Sequence, residues 1–176
     1  MSDLGKNNRF KANGSFANLK PERFTYPAAS FDALLNGGFD GAGTYTSAQG
    51  LALTSLIFLK KSIAQKVPID SASMSVTLSA DTVKLSNLDL YSLGLHVDGD
   101  GSTTFAGSWE GRVRSEGQVE HLLQLFSPAT NLKGYLVIDA DFKGVLDSTA
   151  GELKGDFSRF SYDSIQVEHA QFEFLS

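Results

Sequence analysis

Between Val83 and Val97 apolar and polar residues alternate in short runs, VKLSNLDLYSLGLHV, with the phase slipping at Ser86-Asn87 and again at Tyr91-Ser92. Alternation with period two predicts strands that are apolar on one face, and a bulge or turn at each slip would bring the leucines back to one side. The same pattern recurs upstream in Met74, Val76 and Leu78, and downstream in Phe105, Trp109 and Val113. It returns in Leu136, Ile138, Ala140 and Phe142, then in short runs through Leu153, Phe157, Phe160, Tyr162, Ile165, Val167, Phe172 and Phe174. SADT (79–82) and DGDG (98–101) separate the middle runs, and Asp-Gly is a strong hairpin signal, so an antiparallel meander with turns at both places is expected.

Two stretches depart from this period. LALTSLIFLKKSIAQK (51–66) places Ala52, Leu53, Leu56, Ile57, Ile63 and Ala64 at helical spacing, with lysines in its second half and Pro68 beyond it, which predicts a helix. GQVEHLLQLFSP (117–128) spaces Val119, Leu122, Leu123 and Phe126 three or four apart and predicts a second, shorter one. Toward the N-terminus, Phe10, Ala12, Gly14 and Phe16 share one parity, Phe24 and Tyr26 form another short run, and NGGFDGAG (36–43) reads as a turn or flexible connection. The chain is thus expected to be one mainly β domain, residues 1–176, with one or two helices packed on its sheet.

Composition narrows the function classes. The 176 residues suffice for one core, and 13 Phe with 5 Tyr and 1 Trp against 4 Pro argue against disorder. A net charge of -5 without any Lys/Arg cluster argues against a nucleic-acid partner, because phosphate binding needs a concentrated basic footprint. The absence of cysteine excludes disulfides, thiol catalysis and thiolate-ligated metal. No apolar run reaches the roughly 18 residues of a membrane-spanning helix, and the start MSDLGKNNRF lacks a signal-peptide core; an exported protein would need a targeting segment these residues do not contain.

Candidate chemistry is sparse. His96, His121 and His169 lie too far apart for a metal site, and His96 falls on the parity opposite the apolar row, which predicts a solvated strand face. DGDGS (98–102) opens like a calcium loop but lacks the later Glu and the flanking helices. Asp139 and Asp141 alternate with apolar residues and are expected to face outward on a strand. No phosphate loop, zinc-helix signature or nucleophile elbow occurs, so neither an enzyme nor a metal or cofactor is expected.

The stretch LKGYLVIDADFKGVLDSTAGELKGDFSRFSYDSIQVEHAQFEF (132–174) resembles the repeating unit of the AsmA-like superfamily, to which TamB-type proteins belong: a strand, a turn near FKGVLDS, a strand opening at GELKGDFS, and a last strand. The earlier segment 67–114 is similar to the C-terminal portion of AsmA-type proteins. The resemblance implies a curved antiparallel sheet folded into an open hydrophobic groove, a half-pipe. It also implies a fragment of a periplasmic envelope protein anchored at the inner membrane, serving phospholipid transport or outer-membrane assembly. Its partners would then be phospholipid acyl chains and an outer-membrane assembly protein. On that reading Leu85, Leu88, Leu90, Leu93, Leu95 and Val97, with Leu136, Ile138 and Phe142, line the groove. The alternative is a closed β-sandwich that binds carbohydrate or protein through exposed aromatics around Trp109 and Tyr91.

Overall fold

The computed structural model describes residues 8–21, 32–46, 50–120, 132–145, 148–162 and 164–175. Ten strands follow one another: β1 (Asn8–Leu19), β2 (Ala33–Thr46), β3 (Gly50–Ala64), β4 (Val67–Ser79), β5 (Thr82–Ser92), β6 (Leu95–Thr104), β7 (Trp109–Gln118), β8 (Leu132–Val145), β9 (Ser148–Tyr162) and β10 (Ile165–Leu175). Each pairs with its sequence neighbours in one antiparallel sheet, so the spatial order equals the chain order. The two ends of that order, β1 and β10, do not meet, and the sheet stays open.

The sheet is a curved half-pipe. Leu59, Ile69 and Ala72 are buried, and the described side chains packed on them, Phe16, Leu35, Ile57, Ala64 and Leu90, all belong to the same sheet. A flat single layer leaves one side of every such residue in water; curvature lets neighbouring strands shelter it. The accessible surface is 12277 Å² for 18.9 kDa, against roughly 8,300 Å² for a compact chain of that mass. A closed sandwich would hide one face of each sheet on the other, and this single open layer overturns that alternative.

Three expectations need correction. Residues 51–66 form no helix: they are most of β3, laddered to β2 on one side and to β4 on the other, from Leu53↔Leu78 to Ala64↔Val67. Both parities of β3 carry apolar residues, Leu51, Leu53, Ile57 and Leu59 on one and Ala52, Leu56 and Phe58 on the other, so the run satisfies either period. Backbone pairing with two strands decides for the sheet. Pro68 lies in β4 just past the last β4–β5 pair, Ser71↔Tyr91, where its missing N–H leaves that ladder intact.

DGDG is likewise not a turn. It lies inside β6, with Asp98 and Asp100 on one face and Gly99 and Gly101 on the other. The hairpin reverses earlier, at Leu93 and Gly94, whose φ values of 52° and 72° suit a turn with both central residues left-handed. NGGFDGAG is strand as well, the middle of β2. The turn at Ala80-Asp81 within SADT does form. Of the second expected helix, Gly117 and Gln118 end β7, Val119 and Glu120 are helical, and the rest lies outside the described residues, as do Phe24 and Tyr26.

Candidate functional site: the inner face of the sheet

Residues in cross-strand register point to the same side of a sheet, so the pairings assign every strand position to a face. One row across the sheet runs Phe16, Gly37, Leu59, Ala72, Leu90, Val97, Ser115, Ile138, Gly155, Phe172. Another, four residues along the strands on the same face, runs Ala12, Gly41, Ser55, Val76, Leu85, Gly101, Gly111, Phe142, Gly151. Neither row contains a charge. These positions are buried or half-buried along β3 to β9, while the alternate positions mix half-buried residues such as Ser73, Asp98 and Asp139 with exposed ones such as Phe58, Lys84, Arg112 and Asp141, so the rows mark the more sheltered, inner face.

Bulges keep the rows in phase. Asn87 has φ 53°, and the β5 register shifts between Leu85 and Leu88 against β6. Leu85 and Val83 therefore stand on the inner face together with Leu88 and Leu90, although two residues rather than one separate Leu85 from Leu88. Asn18, at φ 54°, performs the same service in β1, where the register shifts between Phe16 and Leu19.

The inner face is thinned by glycine. Phe10 stands opposite Gly43, Phe39 opposite Gly14, Trp109 opposite Gly144, Phe142 opposite Gly111 and Phe172 opposite Gly155. In each pair the ring lies over the glycine, so that a Cβ there would collide with it; at Gly111 the nearest ring carbons of Phe142 would be 2.7 Å away. Aromatic rings over glycine restore the packing that a bare glycine loses. Trp109 and Phe142 also meet each other, ring centroids 5.5 Å apart.

Depth varies along the strands. Ala33, Ser62, Ile69, Ser92, Leu95, Gly117 and Leu136 are buried and cluster at the end where β3 turns into β4 and β5 into β6. Polar groups there are internally bonded: the Ser62 hydroxyl donates to the Asn36 carbonyl and accepts from the Asn36 N–H at 2.9 Å, and Ser92 donates to the Pro68 carbonyl at 2.6 Å. At the opposite end, Tyr45, Leu51, Phe105 and Val145 are exposed. The sheet is thus buried at one end and exposed at the other.

The outer face carries the charge. Asp98, Arg114, Asp139, Lys154 and Glu173 stand in register on β6 to β10, alternating in sign. Arg114 reaches Asp139 at 3.1 Å, and that carboxylate, with Glu116 beside it, raises the guanidinium pKa further. Lys154 holds Glu152 at 2.6 Å and Glu173 at 3.6 Å; the lysine hydrogen bond lowers the Glu152 pKa. His96 lies on this face, as the alternation predicts, bonded to Asp89 at 2.9 Å and stacked on Tyr91. A hollow of about 890 Å³ on this side is lined by the cations Lys84, Arg112 and Lys143 interleaved with the acids Asp100, Glu110, Asp141 and Glu152. Among the described residues, no cluster of His, Asp and Glu has the arrangement of a metal site.

Of the residues read as groove-lining, Leu85, Leu88, Leu90, Val97, Ile138 and Phe142 stand half-buried on the inner face. Leu95 and Leu136 share that face but are buried, at 8% and 6% exposure, and belong to the closed end. Leu93 sits in the β5–β6 turn, off the rows. Sequence reasoning missed the N-terminal third of the face: Leu53, Ile57 and Leu59 because β3 reads equally well as a helix, and Phe39 because NGGFDGAG reads as a turn. The aromatic-on-glycine pairs leave no mark in sequence until the register is known. The chain matches no family model, no curated protein and no solved structure at a significant level.

Proposed function

We propose that the inner face is a trough for the acyl chains of phospholipids and that this chain serves lipid movement in the cell envelope, as a periplasmic fragment of an AsmA- or TamB-like protein. The supporting observation is a pair of uncharged rows of apolar, glycine and serine residues on one face of an open sheet, one crossing all ten strands and the other β1 to β9. Among the described residues only seven hydrophobic side chains are buried, so most of that face is not used up as core. An apolar surface of this extent left to water marks an interaction site. Each methylene removed from water contributes about 0.8 kcal/mol, so a dozen sheltered methylenes outweigh the ordering of one chain. With no charge in the rows, the trough holds tails and leaves head groups to the solvent at its open side. The role is binding and passage rather than catalysis.

Titration with a phosphatidylethanolamine carrying one fluorescent acyl chain tests this. The protein should bind it, and Leu90→Glu, which puts a charge into the trough, should weaken binding roughly tenfold or more with an unchanged circular dichroism spectrum. Lys84→Glu, on the outer face, should leave binding as it was. Equal effects of the two substitutions, or no binding at all, would refute the proposal.

A further inference from the structure

Two bulges lie side by side toward the buried end of the sheet, and one residue stands between them. β1 gains a residue against β2 between Phe16 and Leu19, and β3 gains one against β2 between Leu59 and Ile63. The left-handed residues at these places are Asn18 and Lys61, at φ 54° and 43°. A bulge leaves its extra residue outside the ladder, so backbone groups there need other partners. For both bulges that partner is Asn36, a β2 residue that falls inside both register shifts. Its Oδ1 accepts from the Asn18 N–H at 2.8 Å, and its Nδ2 donates to the Lys61 carbonyl at 3.0 Å. An amide offers an acceptor and a donor on one planar group, which matches an N–H on one side and a C=O on the other.

Each strand has a second register within one residue of the first. Without its bulge β1 would carry the pairing Phe16↔Gly37 onward, set Asn18 opposite Leu35 and turn Leu19 to the other face. Without its bulge β3 would carry Leu59↔Gly37 onward and turn out Ser62, which is 2% exposed. Burial alone does not choose for β3, because Leu56, Phe58 and Ile63 stand on the parity opposite Leu53, Ile57 and Leu59. The bulged register even carries a cost, since Lys61 has a Cβ and left-handed backbone disfavours it. Something must therefore hold it.

We propose that Asn36 is a latch between two registers: its side chain holds both bulges and so fixes which residues of β1 and β3 face inward. With the latch closed, Phe16 and Leu35 pack together on the buried cluster of Leu59, Ile69 and Ala72. The backbone of Asn36 adds a second hold, its N–H donating to Ser62 Oγ and its carbonyl accepting from the same hydroxyl, which keeps Ser62 turned in. The latch acts within the sheet and stands whether or not the inner face holds lipid.

NMR on the full chain tests the latch through amide exchange and cross-strand NOE contacts. In the unaltered protein the Asn18 amide should be protected and Leu19 should show contacts to Leu35. Asn36→Leu keeps the shape and removes both hydrogen bonds; it should cut Asn18 protection roughly tenfold or more and replace the Leu19–Leu35 contacts with Asn18–Leu35 ones, while amides of β6 and β7 keep their protection. Asn36→Asp keeps the acceptor and loses the donor, so it should retain the β1 register and lose that of β3. Adding Lys61→Gly, which adopts the left-handed backbone at no steric cost, should then restore the β3 register. If Asn36→Leu does not fold, the Asn36→Asp pair of variants decides by the same readout. Native registers in both Asn36 variants overturn the proposal. So does protection lost evenly over all strands without any change of register, which would make Asn36 an ordinary packing residue.

Discussion

Asn87 fixes which way four leucines and valines of β5 point. Its left-handed backbone (φ 53°) absorbs one extra residue in β5 and keeps Val83 and Leu85 on the face of Leu88 and Leu90. Asparagine tolerates that conformation and a β-branched residue does not, so Asn87→Val should destabilise the sheet by about 1–2 kcal/mol while Asn87→Gly stays near neutral. Chemical denaturation of the two variants checks this. Leu59 makes a different point, being buried at 8% exposure in the small cluster with Ile69 and Ala72. Leu59→Ala should cost about 2–3 kcal/mol, at the lower part of the usual range because a single curved layer can partly collapse over the gap. Leu90, half-exposed on the same row, should tolerate truncation far better in the same measurement. The contrast separates residues that hold the sheet together from residues free to meet a ligand.

At the scale of the strands, β5 to β9 were largely legible because their two faces differ chemically. His96, Asp139 and Asp141 read as outward from parity alone, and the ladders place them there. β3 was not legible: leucine, isoleucine and phenylalanine on both parities erase the period, and only the registers with β2 and β4 decide its conformation. In β6 the Asp-Gly repeat obeys period two as faithfully as any apolar repeat, yet a turn signal and a charged-out, bare-in strand share that spelling. The β9–β10 hairpin carries an acid sensitivity. Lys154 holds Glu152 ionised below its ordinary value of 4.5, so this contribution is fully present above the unfolded pKa and is lost as pH falls through the lower folded one. The group is solvent-exposed and the effect is small. Urea midpoints measured downward from pH 5 should drop, and Glu152→Gln should flatten that part of the profile.

For the molecule as a whole, an open meander with one uncharged face and one charge-laddered face is an unfinished surface by the standards of a monomeric protein. A sequence predicts the alternation that creates two faces, but whether a second layer covers the apolar one depends on what the chain folds against, which alternation does not encode. Here no second sheet does so among the described residues. The open, single-layered antiparallel sheet is the fold class expected from the alternation. The most direct measurement of its occupant is native mass spectrometry of the purified chain carrying a photo-crosslinking amino acid at Leu90 or, as the outer-face control, at Lys84. Phospholipid adducts formed from Leu90 and not from Lys84 are the expected result. An apo mass with no adduct at Leu90, or equal adducts at both positions, would contradict a lipid trough and return the inner leucines to plain sheet packing.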